Sequence, residues 1–422
     1  MAENEQQQQQ QQQPPSLDYW NREISTPRNF DESLPMLRTA NILSIAHVDD
    51  PACQPLHFPQ DSNEEPLSKV NARLVKAGTH FSDSEIKSFL VDGAVNTIYV
   101  TQHPNARDQL ERILMIDEEL AKEEEEEGEK GTPRSQRQIQ WIHIRSAGID
   151  LCWSPTLVQW QEQGARAGGD CRIMTNSKGC FSSTLAEYCM MACSYFAKDL
   201  PRLLRNQASK DWNKYSVQEL RGATLGVVGL GDIGQACARL AKAYGMRVVG
   251  VKNKRSSLSN NRNNNQLLAA DVVYYSEDEE GGQSAALNKV FAESDYIVSC
   301  LPLTAATRGC IGAEQFESVK QHNHVVFINV GRGPVVDETA LIQALRSDKL
   351  KGAGLDVFAE EPLPEQSPLW DIGAEKVLLS PHNMDQTETF MREATELFVR
   401  ENLPRFARGL PLLNPVNIKA GY

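Results

Sequence analysis

Three polar residues in the second half of the chain stand just beyond apolar, strand-like runs. Arg332 follows VVFINVG, Glu361 lies five residues after Asp356 in GAGLDVFAEEPLP, and His382 closes VLLSPHN. A guanidinium leaving the carboxyl end of a sheet strand is a planar fork suited to a carboxylate and an adjacent keto oxygen. Open α/β sheets bind their ligands at that edge. Taken singly, an Arg after a strand can serve a salt bridge and a loop His can be merely solvated. Together the three groups converge on one edge of one sheet, which points to chemistry.

A second constellation precedes them. In TLGVVGLGDIGQACARLAKAYGM, Gly229, Gly231 and Gly234 form GxGxxG, with Asp232 and Ile233 inside the loop, after a strand pattern and at the start of a helix pattern. The first glycine permits the tight turn, the second lets backbone approach a pyrophosphate, and the third lets helix and strand pack closely. The N–H groups and dipole of the helix N-terminus then face the phosphates. An NAD site of this kind places Asp or Glu at the end of the second strand, for the ribose hydroxyls. Here RVVGV runs into Lys252, Asn253, Lys254, Arg255 and Ser256, with no carboxylate. These cations suit a solvated loop or a ribose 2′-phosphate, and their place beside the expected ribose favours the phosphate, hence NADP(H) over NAD(H).

The elements that must hold these groups follow from hydrophobic periodicity. Strands are expected at Thr224–Val228, Arg247–Val251, Tyr296–Leu301, Val325–Val330, Gly354–Phe358 and Lys376–Ser380, with helices at Gly234–Tyr244 and Glu338–Arg346. Strands alternating with helices, the strands continuously apolar, give a doubly wound parallel sheet buried on both faces. Upstream, NILSIAHV, VNTIYVT and IQWIHIRSAG mark a smaller α/β domain, and Ser182–Leu204 reads as one long interdomain helix kinked near Pro201.

The bulk composition sets outer limits. A chain of 422 residues, 40% hydrophobic, is long enough for two domains. The expected division is a Gln-rich disordered tail at 1–39, a first domain at 40–198, a dinucleotide-binding domain at 199–383, and a return to the first domain at 384–422. The acidic run from Asp117 to Glu129 reads as a solvated helix or a disordered insertion. With 43 basic and 56 acidic residues, the formal charge of −13 opposes binding to nucleic acid or anionic membrane. No apolar run is long enough to span a bilayer. Glu3 and Glu5 stand where a targeting signal would be basic, and nine cysteines without a CxxC pair suggest free thiols in a reducing cytosol. No metal site is expected.

GVVGLGDIG, LPLTAATRG, INVGRGPVVDETAL, GAGLDVFAEEPLP and LLSPHN together resemble the D-isomer-specific 2-hydroxyacid dehydrogenases, in the family's order and approximate spacing. The resemblance covers roughly residues 140–420, more weakly 40–140. It implies a Rossmann-type cofactor domain with a discontinuous flavodoxin-like substrate domain, and hydride transfer between a nicotinamide and a small 2-oxo or 2-hydroxy acid. Arg332 would then grip the substrate, His382 would protonate the carbonyl oxygen, and Glu361 would hold the imidazole in its protonated form. Ser146, Ala147 and Gly148 match the loop that receives the substrate carboxylate. Leu301, Pro302, Thr307 and Val330 match cofactor contacts, and Asp356 a contact to the nicotinamide amide. Pairing of subunits as a homodimer is implied too. Asn383 to Thr387 depart from the family's small or apolar residues, and Glu361 departs from the glutamine of the formate dehydrogenase branch. The alternative, suggested by the Gln tract and acidic run, is a dinucleotide-sensing corepressor or scaffold of dehydrogenase-like fold.

Overall fold

The computed structural model describes residues 33–57, 67–127, 139–166, 172–254, 269–320 and 324–421. The Gln tract, Gly128 and Glu129 at the end of the acidic run, Arg255 and Ser256 therefore lie outside the described residues.

Two compact units emerge. One holds Pro27–Phe181, Pro302–Ala306 and Asp385–Tyr422; the other holds Ser182–Leu301 and Thr307–Met384. The first is built on five parallel strands, β1 (Ala40–Ile45), β2 (Ala72–Gly78), β3 (Thr97–Val100), β4 (Trp141–Ile144) and β5 (Ile173–Asn176), in the order β2-β1-β3-β4-β5. This is the flavodoxin-like order. Its core includes Val416 and Ile418 on one side and Phe398, Leu403 and Phe406 on the other, so the last 37 described residues complete the first unit.

A buried polar network crosses that core. Trp141 Nε1 donates to Thr175 Oγ1 at 2.8 Å, which leaves the Thr175 proton for His143 Nδ1 at 2.7 Å. His143 is fully buried, stacked with Tyr99 and tilted against Phe398. Burial pushes its pKa down from 6.5 to about 3.

The second unit has seven parallel strands: β6 (Thr224–Val228), β7 (Arg247–Lys252), β8 (Val272–Tyr275), β9 (Tyr296–Ser299), β10 (Val326–Asn329), β11 (Gly352–Leu355) and β12 (Val377–Leu379). Their order, β12-β11-β10-β9-β6-β7-β8, is that of a Rossmann sheet with one further strand. Residues of β6, β9, β10 and β11 are buried throughout, as a sheet covered on both faces requires.

Several expected boundaries move. The long helix is two, Ser182–Ala197 and Leu200–Ser209. The chain breaks at Asp199 (φ +50°), and Pro201 belongs to the first turn of the second helix, where its missing N–H costs nothing. The first of these helices packs with the dinucleotide unit, so the division falls at 181/182 rather than 198/199. The strand expected at Gly354–Phe358 is Gly352–Leu355, because Phe358 turns away to bond Glu361. The helix expected from Gly234 begins at Asp232, with Gly231 as its N-cap. β8 and helix Gly282–Glu293 were not anticipated. The tail is not free up to residue 39: Leu37 and Arg38 both donate backbone N–H groups to Ala407 O. The acidic run continues helix Ala106–Glu127.

Candidate active site

The sheet order reverses between β6 and β9, which makes the carboxyl ends of those strands the topological switch point. There the glycine loop has its expected shape. Gly229 is left-handed (φ +97°), and a Cβ at Gly234 would lie 2.1 Å from Gly229 O, so only glycine lets the helix start this close to the strand. A Cβ at Gly231 would meet nothing within 4 Å. The 12-residue helix Asp232–Ala243 behind it has no side-chain cap, so its leading N–H groups point to an open approach. These residues fit a dinucleotide pyrophosphate. Leu301 flanks Gly229, and Val330 is buried at the end of β10. Thr307 is half-buried further along the loop, while Pro302 groups with the first unit.

At the end of β7, Lys252 is half-buried and pairs with Tyr275 of β8, whereas Asn253 and Lys254 are exposed. No carboxylate stands on this strand end. The neighbouring strand does lead into acids, Glu277 and Asp278, and Glu277 N–H bonds Asn253 O at 3.3 Å. The sequence pattern gave no warning of this, since β8 itself was not foreseen.

Three adjacent strands deliver the acid–base groups. Arg332 follows β10, Asp356 and Glu361 follow β11, and His382 follows β12. The turn carrying Arg332 is held by Asn329, whose Oδ1 accepts from Gly331 N and whose Nδ2 donates to Arg332 O. Gly333 sits against the Phe358 carbonyl, where a Cβ would approach to 1.8 Å, so the next loop cannot accept any side chain there. Arg332 itself is half-buried, with Nη1 donating to Gly331 O at 2.8 Å.

Glu361 and His382 meet directly, Oε2 to Nδ1 at 2.7 Å, while Glu361 Oε1 accepts from Phe358 N at 2.9 Å. Their side chains are 35% and 32% exposed, open enough for a small molecule to reach the imidazole. The Glu361 hydrogen bond lifts the His382 pKa above its ordinary value, against the opposing effects of burial and of the Arg332 charge. Burial acts to raise Glu361, but the His382 bond, the Phe358 N–H and the charges of His382 and Arg332 outweigh it and hold the carboxyl below its usual range. His382 is left-handed (φ +49°), uncommon outside glycine, and its N–H bonds Ser380 O. Asp356 is 1% exposed, and burial raises its pKa even though Ser380 Oγ donates to it at 2.7 Å and Asn383 N at 3.2 Å.

Ser146, Ala147 and Gly148 belong to the first unit, after β4. Their carbonyls are occupied: Ser146 Oγ donates to Gly148 O, Asn176 Nδ2 to Ala147 O, and Ser177 N to Ser146 O. What this loop can offer an anion is its N–H groups. Sequence reasoning missed Asn329, Ser380 and Tyr188. The usable signal was a polar residue closing an apolar strand run, as in VVFIN and VLLS.

Residues 190–383 match the D-isomer specific 2-hydroxyacid dehydrogenase, NAD binding domain. A glyoxylate reductase of Korarchaeum cryptofilum is 34% identical over 250 residues, 58% of this chain and 69% of that protein. The chain belongs to this family. A D-3-phosphoglycerate dehydrogenase of Methanocaldococcus jannaschii is 31% identical over 253 residues, and the match spans only 43% of that longer protein. Among solved structures, a D-isomer specific 2-hydroxyacid dehydrogenase from Xanthobacter autotrophicus Py2, in complex with NADPH and MES, aligns with TM-score 0.63 and 27% identity. It covers 91% of this chain and 100% of that one. Both sheets described above are thus those of the 2-hydroxyacid dehydrogenases, which are NAD(P)-dependent oxidoreductases, and none of these relatives supports the scaffold alternative.

Proposed function

We propose that this dehydrogenase reduces a small 2-oxo acid, of the size of glyoxylate or hydroxypyruvate, to the D-2-hydroxy acid, with NADPH preferred to NADH. The observation that carries this reading is the 2.7 Å His382–Glu361 pair beside Arg332, on the carboxyl edge of the sheet that also bears the glycine loop. Arg332 presents its guanidinium to the carboxylate and keto oxygen of the substrate. With Nδ1 committed to Glu361, Nε2 of His382 is the nitrogen that passes a proton to the carbonyl oxygen. Glu361 fixes the ring and favours its protonated form. Ser146, Ala147 and Gly148 offer backbone N–H groups to the carboxylate, and Asp356 an acceptor to the nicotinamide amide. The hydride is supplied by a nicotinamide dinucleotide held by the glycine loop, a chemistry that belongs to the cofactor.

Lys252 and Lys254 support the NADPH preference, since this strand end lacks the carboxylate that an NAD ribose would use. The NADPH bound to the Xanthobacter relative agrees with it. A homodimer is proposed as well, supported by exposed Leu203 and Leu204 on helix Leu200–Ser209, which buries none of its residues. Among the described residues no helix is long and apolar enough to cross a membrane, and the eight described cysteines are free, which supports a cytosolic site of action. A panel of 2-oxo acids assayed with NADPH and NADH in parallel tests the proposal. Glyoxylate and hydroxypyruvate should turn over; failure of every 2-oxo acid with both cofactors would reject it.

A further inference from the structure

His382 must keep an unusual backbone conformation, and its bond to Glu361 fixes only the ring. The backbone is held from another side. Helix Ser182–Ala197 carries Thr184 and Tyr188 one turn apart, so both reach the same stretch of chain. Thr184 Oγ1 donates to Met384 O at 2.8 Å, two residues after His382. Tyr188 Oη lies 3.2 Å from Ser380 Oγ, two residues before it. Ser380 has one hydroxyl proton, and its nearest acceptor is the Asp356 carboxylate at 2.7 Å. That one proton is shared: Ser380 Oγ donates to Asp356 over the shorter distance and to Tyr188 Oη over the longer.

The Ser380 hydroxyl thus sits between a phenol on the helix and a carboxylate at a strand end and links the two. All three members are nearly excluded from solvent: Tyr188 is 5% exposed, Ser380 8% and Asp356 1%. Asn383 N also bonds Asp356, and His382 N bonds Ser380 O, so Ser380, His382, Asn383 and Met384 each take part in a hydrogen bond that holds the segment. A left-handed non-glycine residue persists only where its surroundings over-determine it. Here those surroundings are one helix face and the Asp356 carboxylate.

We propose that Tyr188 and Thr184 are positioning residues, acting through Ser380 and Met384 to hold the His382 backbone left-handed and the Asp356 carboxylate in place for catalysis. Neither hydroxyl has to touch substrate or cofactor. The claim rests on the reading of His382 as the proton donor.

Conservative variants separate positioning from packing. Tyr188→Phe keeps the ring in the core and deletes only the hydroxyl; Thr184→Val keeps the shape and deletes the donor; Thr184→Ser restores the donor. With the full-length enzyme, kcat for 2-oxo acid reduction should fall about three- to tenfold in Tyr188→Phe and in Thr184→Val, as expected for one lost hydrogen bond. The KM for the 2-oxo acid should stay within about twofold, and Thr184→Ser should recover most of kcat. The titration midpoint of the His382 imidazole, which is faced by Glu361, Arg332 and Asp356, should move in both hydroxyl-deleting variants, Tyr188→Phe and Thr184→Val, when followed by NMR. Unchanged kcat in both, or a kcat loss that merely tracks a fall in melting temperature, overturns the proposal. If the parent enzyme reduces no 2-oxo acid, the functional reading alone has failed. The NMR arm still decides this one, because equal midpoints in parent and variants would refute it.

Discussion

Lowering the pH from 7 to 4.5 should remove about 2 to 3 kcal/mol of stability from the first unit through His143 alone. The figure follows from its burial: the folded-state pKa is pushed from 6.5 down to about 3. Between those values the unfolded chain binds a proton that the folded chain refuses. The contribution is thus complete above pH 6.5 and is lost as pH falls toward the folded value, at about 1.36 kcal/mol per pH unit. Carboxylates also titrate in this range, so the informative quantity is a difference. Urea unfolding of the parent and of His143→Gln, followed by tryptophan fluorescence at half-unit pH steps, should give curves of stability against pH that converge as the pH drops. The variant will start less stable, because Thr175 and the buried site were shaped for imidazole. If the parent and His143→Gln lose stability in parallel between pH 7 and 4.5, His143 is not a buried neutral group and the reasoning is wrong.

Further outcomes are expected at the catalytic edge. His382→Gln should lower turnover about a hundredfold to ten-thousandfold while leaving dinucleotide binding intact by fluorescence titration; turnover within threefold of the parent would exclude His382 as the acid. Glu361→Gln should move the alkaline limb of the reduction rate to lower pH, since the protonated imidazole persists to high pH only while the carboxylate raises its pKa. A pH profile unmoved by the change would rule out that coupling. Replacing Lys252 and Lys254 by Asp should weaken NADPH use more than NADH use, from a starting preference of about tenfold; equal kcat/KM for the two cofactors in the parent would sink the 2′-phosphate reading. Gly333→Ala should lower both melting temperature and activity, because the added carbon collides with Phe358 backbone rather than with a movable side chain. An alanine variant indistinguishable from the parent would contradict that packing.

Much of this was legible in the sequence because strong local signals and tertiary demands coincide. Apart from β8, which gave no such signal, and β11, which begins two residues early, the strands of the second sheet are apolar runs whose centres agree with the observed ones, and the glycine spacing encodes a turn whose sterics require glycine at Gly229 and Gly234. Strand ends were less legible. Phe358 has the character of a strand residue, yet its N–H is taken by Glu361, a partner that periodicity cannot reveal. The break at Asp199 was displaced two residues toward Pro201 because proline was read as ending a helix, when here it starts one. Tyr188 looked like one more apolar position on a buried helix; only the register of that helix against Ser380 gives its hydroxyl a partner. The docking of Leu37 and Arg38 on Ala407 depends on contacts across some 370 residues of chain, beyond the reach of local pattern.

The placement of Arg332, Glu361 and His382 after three neighbouring strands gives the site a built-in ruler. Parallel strands repeat about every 4.8 Å, so the starting points of the three loops are set by backbone pitch and not by the side chains that face them. Insertions in the helices that cover the sheet leave that pitch untouched. A slip of one residue in β12 would carry His382 about 3.3 Å along the strand and reverse the side to which it points. The chemistry is therefore tolerant of drift over most of the unit and brittle along one short edge of it.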